Sequence, residues 1–451
     1  MIDTEREHER EKEKEKEKEK GRTQLVKRAF SGINPIHRIR DMNSDVKRCI
    51  KGFYNLIRKS HHEFLHDKGI TATLKKTKRE LVKDRRPDYF KPHDETADHA
   101  TVMPEWVNDE LDGGTHLTCN LSFNVSGRVV NLSVLIPNKS SEEITVKDYE
   151  DIRNVVQYVY VWLTAVYNFA TAECSNVLNV YIYLTNICKT ATSTPNSKTK
   201  PPQLTTDNVN TAFTWSCKRE NTICVYRREE WFKCFIHETF HNLDLDFSLK
   251  RDNTAVLNCL KSILNISKDE LNIYETYCEV WAVFISVIFS ACNYADDSKS
   301  KTKDKDAKLF SFVLNALEME TRWSLLQMTK ILDRFNIGYA DLISADRGVQ
   351  NKVEDVKIDS DDTNVFSYYI AKSVCMVSVW DFIGWCITHN TAVLNFKNED
   401  ENVLRFCDFL KELFNNKSIP IITDKIKNRL LSIDDANEIS TTMRMTMFDA
   451  V

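Results

Sequence analysis

His237 and His241, separated by Glu238, Thr239 and Phe240, have the residue types and spacing of a metal-dependent hydrolase site. Residues four apart on a helix project from one face, so both imidazoles can reach one tetrahedral cation. Glu238 stands beside them, where a carboxylate can take a proton from a metal-activated water and return it to a leaving amine. The spacing therefore implies Zn2+ as cofactor, one ion per chain, with Glu238 as general base and a peptide or protein as substrate.

The same pattern occurs a second time, as His62-Glu63-Phe64-Leu65-His66. Flanking residues separate the two. A metal helix lies beneath a cleft with one face in the core, so its neighbours should be uncharged. Cys234, Phe235, Thr239, Phe240, Asn242 and Leu243 satisfy this around the later motif, whereas Lys59, Asp67 and Lys68 surround the earlier one. His62 and His66 are accordingly read as a solvated helix face.

Two histidines and a water leave zinc one protein ligand short. A glycine at 244 and a histidine at 247 would complete one branch of such sites, but these positions hold Asp244 and Phe247. Asp244 shares a face with His241, yet it stands so close along the helix that reaching around a metal would be difficult. Glu275 and Glu279 are four apart on a helix whose continuation, Val280 to Phe289, is apolar enough to be buried. Like charges at that spacing repel, and a buried carboxylate is costly unless paired or coordinated. A metal for one and a histidine N–H for the other would satisfy both. Pairing with lysine or arginine elsewhere in the chain is the competing explanation.

The combination of His237-Glu-x-x-His241 with Glu275-x-x-x-Glu279 resembles the gluzincin metallopeptidases, including those of the anthrax lethal factor type. The longer run from Tyr226 to His241 is similar to a metallopeptidase family of large eukaryotic DNA viruses. The likeness covers roughly residues 205 to 295 and, more weakly, Phe366 to Lys372. It implies that Glu275 is the third metal ligand and that Glu279 supports a histidine. It also implies an oxyanion donor from a helical lobe. The pair Tyr368-Tyr369 resembles the late double tyrosine of thimet oligopeptidase-like enzymes, and His389 is the other donor considered. The separation of His241 from Glu275 exceeds that in thermolysin, implying an inserted helix.

Positioning these residues calls for an α+β, zincin-like architecture: an N-terminal lobe with a mixed β-sheet, a metal-binding helix, and a predominantly helical C-terminal lobe. Leu117 to Val125 and Val129 to Ile136 alternate apolar and polar residues around Ser126-Gly127, which predicts a hairpin. Val146 to Ala172 reads as a long helix and Val177 to Leu184 as a buried strand. Thr211 to Ser216 and Thr222 to Tyr226 read as short strands ahead of the metal helix, the first a candidate edge for an extended peptide. Asp252 to Ile266 reads as the inserted helix. Ser267 to Glu270 has the spacing of a capping box that opens the helix bearing Glu275 and Glu279. The domain limits expected are a charged tail over 1–21, a basic helical segment over 22–100, a β-containing lobe over 101–260 and a helical lobe over 261–451.

With 451 residues, 42% of them hydrophobic, the chain can fill a two-lobed core. Its net charge of −4 conceals an asymmetry, because Arg22 to Lys91 holds 19 Lys and Arg against 7 Asp and Glu. Such a segment suits phosphates, so residues 22–91 are a candidate nucleic-acid contact. This opens a second class of function, a non-catalytic packaged or scaffold protein with a basic nucleic-acid-binding arm and a structural or degenerate metal site. Thirteen cysteines without a C-x-x-C pair argue against a disulfide framework. They imply a reducing intracellular compartment, host cytoplasm or virion if the viral likeness holds. The first twenty residues are almost all charged and read as no secretory signal. Val280 to Cys292 is shorter than the roughly 20 apolar residues a bilayer needs, so no transmembrane segment is expected.

Overall fold

The computed structural model describes residues 2–70, 74, 79–83, 103–112, 114–140, 143–191, 203–249, 254–261, 264–265, 271–297, 305–354, 363–430 and 441–449. The strands are β1 (Arg79–Lys83), β2 (Thr115–Val125), β3 (Arg128–Ile136), β4 (Val177–Tyr183), β5 (Ala212–Thr214) and β6 (Glu220–Val225). They form one mixed sheet in the order β1-β2-β3-β4-β6-β5. Strands β3, β4 and β6 run parallel, while β1, β2 and β5 pair antiparallel with their neighbours.

The β2–β3 hairpin closes through Ser126 and Gly127, with φ of 51° and 81°. Positive φ at both central residues gives the tight turn whose twist matches that of the flanking strands. Register then runs from Val125↔Arg128 to Leu117↔Ile136. Leu117, Cys119, Leu121, Phe123 and Val125, two apart along β2, are all buried.

The main helices are α1 (Ile2–Ala29), α2 (Ser44–His66), α3 (Glu105–Leu111), α4 (Val146–Val166), α5 (Trp231–Asn242), α6 (Thr254–Lys261), α7 (Ile273–Asp297) and α8 (Lys305–Arg334). They continue as α9 (Arg347–Glu354), α10 (Lys372–Val377), α11 (Val379–His389), α12 (Asp400–Phe414) and α13 (Ser418–Leu430). A π-helical turn, Phe366–Ala371, leads into α10. Helix α4 makes the crossover from β3 to parallel β4, opened by reciprocal bonds between Thr145 and Asp148. The expected capping box at Ser267–Glu270 lies outside the described residues.

The apolar stripe of α2, Val46, Ile50, Phe53, Ile57 and Phe64, is buried against α4 and α7. The preceding loop is tied to α8, where Glu318 accepts the N–H groups of Ile36 and His37. The basic segment is thus partly docked, although Lys75, Lys76, Lys78, Arg85, Arg86 and Lys91 lie outside the described residues. Helix α7 is the centre of the core. Its stretch Ile273–Tyr294 is long and apolar enough to cross a membrane, but 89% of that window is buried inside the fold.

One expectation is overturned. Cys174 and Cys217 form a disulfide across 43 positions, and such bonds persist in oxidising rather than reducing surroundings. The expectation of a reducing intracellular compartment is therefore corrected. An odd cysteine count and scattered spacing carry no information about a single bridge between distant loops.

Candidate metal centre

Helix α5 is buried almost all round because the sheet, α4 and α7 enclose it. Eleven of its twelve residues are buried, and Glu238 is the exception. Trp162 of α4 donates its indole N–H to Thr239 Oγ1 at 2.9 Å, fixing the helix about its axis. Glu230 starts it in a left-handed conformation, φ 59°. Burial raises the Glu238 carboxyl pKa, against the nearby His237 and His241 that favour its charged form.

His237 and His241 turn toward α7, which brings Glu275 to meet them. His237 Nε2 lies 2.9 Å from Glu275 Oε2 and 3.1 Å from His241 Nε2. His241 Nε2 stands 3.4 Å from the same carboxylate oxygen. Three potential ligand atoms thus surround one point, all of them among residues buried in the core.

The far sides of the two rings face carboxylates. His241 Nδ1 bonds Asp246 Oδ2 at 2.5 Å, and His237 Nδ1 lies 2.9 Å from Glu279 Oε1. With the proton on Nδ1, beside its carboxylate, each neutral ring would present the lone pair of Nε2 to the other and to Glu275. Three electron-rich atoms so close together repel unless a cation stands between them. Two imidazoles and a carboxylate are a zinc donor set, so these residues fit the ion.

The titration behaviour of the metal-free site agrees. Burial lowers the His237 pKa, but Glu275 and Glu279 outweigh it and raise the pKa to about 9. For His241 burial is likewise outweighed, by Cys278, Asp246 and Glu275, and the pKa rises well above the ordinary value. Burial pushes Glu275 up, yet the two histidines prevail and hold it below the usual carboxylate range. Without a metal, protons take its place.

Other predicted residues divide. Tyr368 packs its ring across His237, centroids 6.0 Å apart, whereas Tyr369 is buried elsewhere and donates its hydroxyl to the Met443 carbonyl at 2.5 Å. His389 stacks on Trp385 and bonds its carbonyl. His62 and His66 are exposed and stacked on each other, with Glu63 near Lys59. Among the described residues they belong to no ligand cluster.

Sequence reasoning weighed Asp244 and missed Asp246. At Asp244 the chain turns left-handed, φ 57°, and the Leu245 N–H returns to the Phe240 carbonyl. This reversal ends α5 and sends Asp246 back to His241, while Asp244 accepts from Thr171. A lone acid between Leu245 and Phe247 was the available signal. Asn364 was missed as well: it donates to Glu275 Oε1 at 3.2 Å, leaving Oε2 to face the histidines.

Set against protein-family models, curated proteins and solved structures, the chain finds no match in any of the three. The gluzincin and viral likeness therefore rests on the motif residues alone.

Proposed function

We propose that the protein is a zinc-dependent peptidase of gluzincin type in which His237, His241 and Glu275 hold the ion. The observation that carries this reading is the convergence of two Nε2 atoms and one carboxylate oxygen within 3.4 Å, beside the one residue of α5 that is not buried. Zinc bound there supplies Lewis acidity, polarising a carbonyl and lowering the pKa of water toward 7. Glu238 accepts the proton of the attacking water and delivers it to the leaving nitrogen. A pKa raised by burial brings its carboxyl toward the range in which both transfers proceed. Glu279 and Asp246 orient the two rings. Tyr368, beside His237, donates to the developing oxyanion. An extended substrate pairs with β5, the edge strand nearest α5.

Protein produced with zinc supplied should contain about one ion per chain and cleave members of a fluorogenic peptide library. Glu238→Gln should retain the zinc and lose about 10²- to 10⁴-fold in rate, because an amide accepts no proton. Absence of zinc from the wild-type protein overturns the reading as a whole. Hydrolysis undiminished in Glu238→Gln overturns the catalytic role while leaving the metal site.

A further inference from the structure

A fully buried lysine is rare unless it is paired, and Lys233 lies on α5 one turn before His237, 4% exposed. Its ammonium donates to Glu279 Oε1 at 2.7 Å, the same oxygen that stands 2.9 Å from His237 Nδ1. Among the described residues the ammonium's other hydrogen-bond contact is the Met445 sulfur at 3.6 Å, so Glu279 is the carboxylate it binds directly, with Glu230 acting on its charge as well. Ammonium, carboxylate and imidazole form a continuous line from the start of α5 to the ligand cluster. Nothing in peptide hydrolysis itself requires the first member.

We propose that Lys233 is a positioning residue, which by binding Glu279 Oε1 fixes that carboxylate against His237 and so sets the ring with Nε2 toward the metal. This rests on the zinc-peptidase reading. Glu279 reaches His237 from α7 at 2.9 Å, and among the described residues neither its Oε2 nor His237 Nδ1 has an aligned hydrogen-bond partner, so the ring is held by the placement of the Glu279 carboxylate. Without Lys233 that carboxylate has one cationic anchor fewer in a dry environment and is free to turn away from the ring. An arginine retains the charge, whereas methionine retains length and apolar stem without it. Among the described residues Lys233 makes no hydrogen bond to the ligand cluster, and its charge also acts on Glu238, so zinc affinity rather than rate isolates the effect carried by Glu279.

The test is zinc affinity by competition with a chelator, measured on the full chain for wild type, Lys233→Met, Lys233→Arg, Glu279→Gln and the Lys233→Met/Glu279→Gln double variant. Visible spectra of the cobalt-substituted proteins report ligand geometry independently of activity. Lys233→Met and Glu279→Gln should each weaken zinc about 10- to 100-fold and alter the cobalt bands alike. The double variant should lose no more than the weaker single variant, since both changes break one line, and Lys233→Arg should restore affinity to within a few fold. Should Lys233→Met fail to fold, Lys233→Gln replaces it with the same expected loss. Wild-type affinity and cobalt bands in the neutral variants, or losses that multiply in the double variant, overturn the inference while the zinc reading stands. A wild-type chain that binds no zinc overturns both.

Discussion

Asp246 acts on the metal site from behind His241, and its buried carboxylate is held below the usual range by that imidazole and Ser248, against burial. Asp246→Ala removes the acceptor beside His241 Nδ1, so zinc affinity should fall about 10- to 100-fold, while Asp244→Asn, which keeps a residue suited to the left-handed turn and changes a side chain that accepts from Thr171, should leave it unchanged. Chelator competition on the two variants separates them, and equal losses would refute the assignment. Protons give a second test. The metal-free His237 titrates at about 9 in place of the ordinary 6.5, so at pH 7 its ring carries a proton that zinc must displace. Zinc binding at pH 7 should therefore release protons, and apparent affinity should climb as pH rises from 7 toward the raised pKa values of the two histidines. For the metal-free fold the sign is opposite: the raised pKa contributes stability in full below pH 6.5 and loses it as pH rises through about 9. Calorimetric zinc titrations in buffers of different ionisation enthalpy would read the released protons, and their absence would argue against a ligand role. His237 and His241 are legible in the sequence because helical spacing fixes which side chains share a face, whereas spacing on the second helix offers Glu275 and Glu279 together and the family likeness chooses between them. Asp246 is not legible, because a left-handed residue shifts the register just where it is needed, and the sequence offers Tyr368 and Tyr369 only as a pair, which a π-helical turn carries.

At the scale of elements, the β2–β3 hairpin, α4, β4 and the α5–α7 pair all follow from periodicity and turn chemistry. What periodicity does not encode is the clamp on the far end of α5. Asn242, the last residue of that helix, donates to Thr214 Oγ1 of β5 at 2.8 Å and is bonded by Ser175. Ser175 follows Cys174, and Cys217 follows the β5 edge, so the disulfide ties together the segments that hold both the metal helix and the candidate substrate edge. A bridge closing 43 positions stabilises by up to about 4 kcal/mol in the chain-entropy account. Paired Cys174→Ser and Cys217→Ser substitutions should lower the thermal midpoint and raise KM more than they lower kcat, because the ligand histidines are held by Glu275, Glu279 and Asp246 rather than by the bridged segments. Thermal melts and peptide kinetics check both parts, and a kcat loss without a KM change would show that the clamp serves the metal helix alone.

Over the whole molecule, the chain's last described residues close the structure around the start of α5. Residues 441–449 run between the lobes: Met443 donates to the Lys189 carbonyl, Trp323 of α8 donates to Arg444, and Met447 and Phe448 donate to the Glu320 carboxylate. Arg444 lies among carboxylates, 2.8 Å from Asp449 and 3.7 Å from Glu229, with its side chain 7% exposed. Beside it Glu230, at the left-handed start of α5, accepts from Lys189 and from Thr446. No local pattern announces these contacts, since those to Trp323, Glu320 and Glu230 join positions more than 100 apart in a stretch that reads as neither helix nor strand. Removing one partner from such a network leaves the others buried and uncompensated, at a cost of about 3–5 kcal/mol. Arg444→Met should accordingly lower the thermal midpoint sharply and weaken zinc retention, since Glu230 begins the helix that carries His237. Arg405→Met offers the contrast. Arg405 pairs with Glu401 one turn away, but with side chains 54% and 74% exposed the pair contributes less than about 1 kcal/mol. If melting curves of the two variants coincide, the C-terminal segment is a passive covering, and the site's stability must come from the sheet and α7 alone.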